Sequence, residues 1–196
     1  MNKPNALGKL LAHPYGFGLI AVLLGALIYA FTFWLNHWLF AQIEFDHRAN
    51  WLFIPSGVRL LLVLLLDHLG ALGIVVGSLI IEWLYFGNEG EWFDLVSPMI
   101  SGLSPLLARW TLARWFQLGT NLERLTPKIL TQYALWFAAF SATLHQAWFA
   151  IHFPSTYRIE GWIPMFIGDV TGNLFVLSLL YFGVKALRHW RSNSAG

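Results

Sequence analysis

Residues 16–40 have the sequence GFGLIAVLLGALIYAFTFWLNHWLF, which contains no Asp, Glu, Lys or Arg. A helix needs about 20 apolar residues to cross a hydrocarbon layer of about 30 Å, so this stretch predicts a membrane-spanning helix. It is too long for the apolar core of a cleavable signal peptide, and no small-residue cleavage site follows it. We therefore expect it to remain as the first span of an integral membrane protein.

Five more apolar segments follow, and the sequence predicts an all-α fold in which a single domain forms a six-helix transmembrane bundle. The predicted spans are 16–40, 51–68, 71–87, 95–118, 127–153 and 163–188. Only 11% of the residues are charged, whereas soluble domains carry about 25%. In the fourth span, Ser97-Pro98 and Ser104-Pro105 predict a discontinuous or re-entrant segment, because a proline disfavours helix in the residue before it.

The segments outside the spans alternate in charge. The amino terminus, the loop between the fourth and fifth spans and the carboxyl tail hold the basic residues Lys3, Lys9, Arg124, Lys128, Lys185, Arg188 and Arg191. The other loops hold the acidic residues Glu44, Asp46, Glu89, Glu91, Asp94 and Glu160. The positive-inside rule then predicts a multi-pass protein with both termini in the cytoplasm, which requires an even number of spans.

Several classes of function find no support in the sequence. The chain has no cysteine, which excludes disulfides, thiolate metal sites and thiol catalysis. No cluster of Lys and Arg has the polar surroundings that nucleic-acid binding needs, and no catalytic or phosphate-binding motif is present. His145 and His152 would lie about 10 Å apart along one helix, so they cannot share a metal ion. We expect no enzyme activity, no nucleic-acid partner and no metal site, and the sequence identifies no cofactor.

Ionisable side chains well inside the apolar segments include Arg59, Glu82, His145 and Asp169. Each costs about 2.5 kcal/mol or more in a bilayer, so such residues usually face the bundle interior and mark a functional site. The predicted orientation places all four at a similar depth in the outer half of the membrane. Two carboxylates then face one guanidinium and one imidazole, and an uncompensated buried charge is costly. We therefore expect water, a proton or a ligand to complete the cluster.

The start of the second span adds to this hypothesis. Residues 53–59 contain Pro, Ser and Gly in succession, and Ser56 is a natural N-cap for the helix that follows. Free N–H groups at such a helix start attract anionic groups, so we expect a small polar or anionic ligand, for example a carboxylate or phosphate. The candidate ligand-binding residues are Ser56, Arg59, Glu82, His145, Asp169 and Asn173.

The alternative interpretation is that the polar cluster only fixes how the helices pack. Arg59 would then pair with Asp169 or Glu82, and the remaining hydrogen bonds would link neighbouring helices. In both interpretations we expect Arg59 and Asp169 to lie within ion-pairing distance, because leaving either charge alone in the membrane is costly.

Two short motifs frame most of the chain. Residues 55–66 read PSGVRLLLVLLL, and residues 168–174 read GDVTGNL. The first resembles the PxG start of an apolar helix in the first family of bacterial membrane-associated sensor domains. The second is similar to the Gly-Asp-x-x-Gly-x-Leu signature of the final helix in that family. The resemblance covers residues 51–185.

The resemblance implies an input module of the bacterial inner membrane that binds a small ligand or senses a stimulus. Members of the family have more helices and are usually fused to a diguanylate cyclase, a phosphodiesterase or a histidine kinase. This chain shows no such output domain, and the proline that usually follows the last motif is replaced near Leu177-Ser178. We therefore expect it to signal through a protein partner in the membrane.

Two further hypotheses remain. The length and six-span layout resemble the substrate-binding subunits of energy-coupling-factor vitamin transporters. In those subunits, small residues of the first helix contact the shared transport subunit, and Ala26-x-x-x-Ala30 would serve here. The third hypothesis is a structural accessory subunit of a larger membrane complex.

Overall fold

The computed structural model describes residues 14–46, 48–87, 90–116, 126–155 and 157–194, and within them the chain is almost entirely helical. The helices are α1 (Pro14–Phe40), α2 (Ile54–Leu66), α3 (His68–Ile81), α4 (Glu91–Phe116), α5 (Pro127–His152) and α6 (Trp162–Ser194). A short antiparallel hairpin, β1 (Glu44–Asp46) and β2 (Ala49–Asn50), joins α1 to α2. The predicted all-α class is confirmed.

Three helical segments are long and apolar enough to cross a membrane: Tyr15–Ile43, His68–Phe86 and Ile159–Arg191. The second of these includes one π-helical turn, Glu82–Phe86, which continues α3. Helix α2 has 13 residues and is therefore only about 20 Å long. These segments indicate a membrane protein, and the crossing of the bilayer by all six predicted spans stays a prediction.

Helix α2 lies at the centre of the bundle, where it contacts each of the other five helices. Its polar side chains Ser56 and Arg59, near the start of the helix, are buried together with most of its apolar residues. A helix surrounded on all sides by others can keep polar groups away from lipid. The central position of α2 is therefore what brings Arg59 into contact with several helices at once.

Small residues allow α1 and α3 to pack closely. A Cβ atom added at Gly73 would lie 3.0 Å from the Val22 carbonyl oxygen, and one at Gly77 would lie 2.8 Å from the Ala26 carbonyl oxygen. Ala26 and Ala30 are both buried within the chain. The expectation that these two alanines present a contact surface to a transport subunit is wrong, because α3 already covers them.

The predicted break in the fourth span is also wrong, because α4 runs without interruption from Glu91 to Phe116 with Pro98 and Pro105 inside it. Both proline rings are fully buried between packed neighbours. The hydroxyl of Tyr133 on α5 donates a hydrogen bond of 3.0 Å to the Pro105 carbonyl oxygen. This bond holds α4 against α5 beside the second proline, and packing against neighbouring helices lets α4 continue where an isolated helix would break.

Ser56 is not the N-cap of α2, contrary to the expectation from the sequence. The helix begins at Ile54, and the Ile54 N–H donates to Asn36 Oδ1 of α1 at 2.9 Å. The Ser56 N–H donates to the Phe53 carbonyl oxygen at 3.0 Å. Pro55 has no N–H to offer. A side chain from another helix therefore caps α2, which leaves the Ser56 hydroxyl available for a contact elsewhere.

A single residue, Asp67, separates α2 from α3. Its φ of 54° lies in the left-handed region, which non-glycine residues seldom adopt. Arg109 of α4 supports the junction, because its guanidinium donates to the Val63 carbonyl oxygen at the end of α2 and lies 3.4 Å from Asp67 Oδ2. At Gly70 a Cβ atom would lie 2.1 Å from the Leu62 carbonyl oxygen, so the reversal needs glycine there.

Candidate functional site

The two sequence motifs pack against each other at the start of α2. The Phe53 N–H donates to the Gly168 carbonyl oxygen of α6 at 3.1 Å. The Thr171 hydroxyl lies 2.8 Å from the Ile167 carbonyl oxygen of its own helix and 3.1 Å from the Trp51 carbonyl oxygen. A Cβ atom at Gly168 would lie 1.9 Å from the Asn50 carbonyl oxygen. Gly168 of the GDVTGNL motif therefore lets the chain before α2 lie directly on α6, next to Asp169.

Arg59 and Asp169 form the predicted ion pair. Arg59 Nη2 donates to Asp169 Oδ1 at 2.9 Å, and the two side chains are only 3% and 2% exposed. The Arg59 guanidinium also lies over the ring of Phe137, with 5.0 Å from Cζ to the ring centroid. The pair has a single contact rather than the two that an arginine and a carboxylate can form, so each partner keeps polar atoms for another interaction.

Glu82 is paired with Arg48, which the sequence analysis did not include. Arg48 Nη1 and Nη2 donate to the two carboxylate oxygens of Glu82 at 2.8 and 3.0 Å. The Arg48 Cζ atom lies 4.0 Å from the ring centroid of Phe86 and 4.5 Å from that of Phe93. Two-point pairing and aromatic rings on the guanidinium both favour arginine over lysine at this position.

The hydrogen bonds of His145 use both of its ring nitrogens. Nδ1 lies 2.9 Å from the Ser141 carbonyl oxygen, which can only accept, so this nitrogen carries a proton. Nε2 lies 3.2 Å from the Ser101 hydroxyl, which donates to it in the neutral ring. The neutral imidazole is therefore fully bonded by α4 and α5 and holds these two helices together.

Ser56 and Asn173 form a separate contact. The Ser56 hydroxyl donates to Asn173 Oδ1 at 3.1 Å, and Asn173 Nδ2 donates to the Ala134 carbonyl oxygen of α5 at 3.3 Å. Both side chains are fully buried. Of the six residues selected from the sequence, these two link α2, α5 and α6 and do not line the cavity described next.

A cavity of about 90 Å³ lies between the hairpin and the helices. Its ionisable lining residues are Glu44, Arg48, Arg59, Glu82, His145 and Asp169. Four serines also line it, Ser78, Ser97, Ser101 and Ser141, and the rest of the lining includes Tyr29, Asn50 and apolar side chains such as Phe33, Phe149 and Met165. At 10–15 Å³ for each water-sized group, it has room for roughly six to nine such groups. The structure therefore brings four of the six predicted site residues to one small polar cavity.

Unpaired polar atoms concentrate at this cavity. In the described part of the chain, five buried side-chain atoms have no hydrogen-bond partner, and three of them belong to residues that line it. These three are Arg59 Nε, Ser78 Oγ and Asp169 Oδ2. A buried polar group without a partner costs about 1–3 kcal/mol, so three in one place indicate a site that a further polar group can complete.

The expected charge imbalance of the cluster is corrected by Arg48. With this residue, two guanidinium groups face the carboxylates of Glu82 and Asp169 in two ion pairs. The sequence contained one indication of its role, because Arg48 is a basic residue among the acidic residues of its loop. Ser97 was interpreted only as the neighbour of a proline and Ser101 was not considered, although their spacing of four residues places them on one helix face.

We expect Arg48→Ala to loosen the hairpin. The change removes two hydrogen bonds to a charged group and leaves Glu82 buried without its partner, which should cost about 1.5–3 kcal/mol of unfolding free energy. Amide hydrogen exchange over residues 44–50 should become faster, while exchange in α5 stays slow. The control is Arg158→Ala, which removes an exposed arginine. Equal exchange rates in the Arg48 variant and the wild type would contradict this prediction.

No protein-family model matches the chain, and comparisons with curated proteins and with solved structures found no significant similarity. The geometry of the cavity is therefore the basis for a functional proposal. The resemblance to membrane-associated sensor domains stays a prediction.

Proposed function

We propose that this protein is a membrane-embedded module that binds a small polar molecule and passes the binding signal to a protein partner. The site is the cavity that is lined by Arg59, Glu82, His145 and Asp169. The observation that carries the proposal is that Arg59, Ser78 and Asp169 all line this one cavity and that each has a buried polar atom, Nε, Oγ and Oδ2, without a hydrogen-bond partner within the described residues.

A purely structural cluster accounts less well for this arrangement. Polar contacts that serve only to link helices are expected to use their donors and acceptors within the protein, as His145 and Asn173 do. The Arg59–Asp169 pair instead uses a single contact and leaves one donor and one acceptor unused. A ligand that bonds to these atoms would recover the free energy that their burial costs.

We place the protein in the bacterial inner membrane as six spans, with both termini in the cytoplasm and the cavity in the outer half. The distribution of basic residues supports this orientation. Helix α6 supports a signalling role, because the helix that carries Asp169 continues through residues 178–191, which no other described element covers. A shift of α6 on ligand binding would therefore move an exposed helix surface that a protein partner within the membrane can contact.

The test is a thermal-shift screen of the purified full chain against small polar metabolites. At a hundredfold excess over Kd, a ligand that binds only the folded state adds about 2.7 kcal/mol of stability. Ser78→Ala should melt no earlier than the wild type without ligand, because the hydroxyl it removes has no partner in the described structure. The same variant should respond less to a ligand.

The matched control for the screen is Ser104→Ala. The Ser104 hydroxyl donates to the Ile100 carbonyl oxygen of its own helix at 2.7 Å and does not line the cavity. This variant should respond to ligand like the wild type. If no metabolite stabilises the wild type, the proposal fails and the hypothesis of an accessory subunit takes its place.

A further inference from the structure

We infer that the ligand of this cavity carries no net charge and presents a hydrogen-bond acceptor and a donor close together, as an amino-acid zwitterion or a small primary amide does. The inference rests on the proposed function and specifies its ligand class. It departs from the sequence-based expectation, which included an anionic carboxylate or phosphate.

The first argument is the charge of the lining. Arg48 is paired with Glu82 and Arg59 with Asp169, so the two ion pairs contribute no net charge. An anion in the cavity would face the carboxylates of Glu82 and Asp169, and a cation would face both guanidinium groups. Because a buried site screens charge poorly, an added net charge would have no counter-charge to offset its desolvation.

The start of α2 disfavours anions further. The Ile54 and Ser56 N–H groups are bonded to Asn36 Oδ1 and to the Phe53 carbonyl oxygen, and Pro55 has none. The helix start beside Arg59 therefore has no free donor in its first turn for an anionic group.

The second argument is the chemistry of the unpaired atoms. Arg59 Nε is a donor and needs an acceptor, whereas Asp169 Oδ2 is an acceptor and needs a donor. Ser78 Oγ can serve in either role. The two charged groups already contact each other through Nη2 and Oδ1 at 2.9 Å. A small side-chain rotation that turns Nε and Oδ2 into the cavity would let one molecule with an acceptor beside a donor bond to both, and charge-assisted bonds are roughly twice as strong as neutral ones.

The experiment compares four compounds of one size and carbon skeleton whose charges differ, because ammonium is exchanged for hydroxyl and carboxylate for amide. Alanine is a zwitterion, lactamide is uncharged, lactate is an anion and alaninamide is a cation. Their dissociation constants are measured by calorimetry with the purified full chain at neutral pH. We expect alanine or lactamide to bind at least tenfold more tightly than both lactate and alaninamide. The comparison between alanine and lactamide identifies which neutral class the site prefers.

A change of charge inside the cavity provides a second measurement. Asp169→Asn removes one negative charge from the lining, so it should shift the preference toward lactate by about tenfold relative to the wild type, measured at a temperature well below the lowered melting temperature that we expect for this variant. Glu160→Gln removes the same charge from an exposed residue outside this cavity. This control should leave the order of the four compounds unchanged.

The outcomes separate the ligand class from the function. If lactate or alaninamide binds most tightly to the wild type, the inference of a neutral ligand is overturned while the proposed binding function stands. If none of the four compounds binds and the metabolite screen also finds no ligand, both the inference and the proposed function fail.

Discussion

Asp169→Asn should lower the free energy of unfolding by about 3–5 kcal/mol, because it strips the counter-charge from an arginine that stays buried. Arg59 is 3% exposed, and its ion-pair partner within the described residues is Asp169. Asparagine preserves the shape of the side chain and can still accept a hydrogen bond. The loss of stability therefore measures the effect of removing the negative charge. The measurement is thermal or denaturant unfolding of the purified protein in detergent.

The matched control removes both charges. Arg59→Met combined with Asp169→Leu replaces the pair by apolar groups of similar size, which is often neutral or stabilising for a buried pair. We expect the double variant to regain most of the stability that Asp169→Asn loses, and to bind no ligand at the cavity. A double variant as unstable as the single one would show that the stability at this site does not depend on charge compensation.

Gly172→Ala should have a comparable or larger effect on folding. A Cβ atom at this position would lie 1.8 Å from the Phe53 carbonyl oxygen and 2.5 Å from the Phe53 carbonyl carbon. These are backbone atoms, so no side-chain rotation relieves the overlap. We expect a loss of more than about 3 kcal/mol, the upper end of ordinary overpacking, with a large fall in melting temperature or in the yield of folded protein.

Gly183→Ala is the control for this prediction because it makes the same change in the same helix. No atom lies within 4 Å of a Cβ placed there. Alanine favours helix over glycine by about 0.8–1.0 kcal/mol, so this variant should be as stable as the wild type or slightly more stable. If Gly172→Ala has the same melting temperature as Gly183→Ala, the close contact between α6 and residues 50–53 is not required for folding.

Part of the site could be predicted from single residues and their surroundings. Arg59 and Asp169 are ionisable residues in apolar helices, and the cost of isolating either charge requires that a partner be near. Their pairing across 110 residues of sequence follows from that cost. The same reasoning placed Glu82 and His145 inside the bundle but could not identify their partners.

The errors in the sequence analysis have a common physical origin. Ser56 and the prolines of α4 were interpreted from the preferences of an isolated helix, which favour serine as an N-cap and proline as a break. In the bundle, Asn36 caps α2 from another helix, and both prolines of α4 are fully buried between packed neighbours. Groups supplied by neighbouring helices outweigh local preference where no water competes.

The sequence by itself determined the apolar, helical character of the chain, the approximate positions of the helices and the requirement that buried charges be compensated, because each depends on local composition. Only the tertiary structure decided that Arg48 of the hairpin completes the cluster and that Ser78 joins it from α3. The geometry of the Arg59–Asp169 contact, which leaves Nε and Oδ2 unpaired, likewise depends on how α2 and α6 are set against each other. Hydrogen bonds depend on distance and angle to a few tenths of an ångström, and the packing of remote segments fixes those quantities.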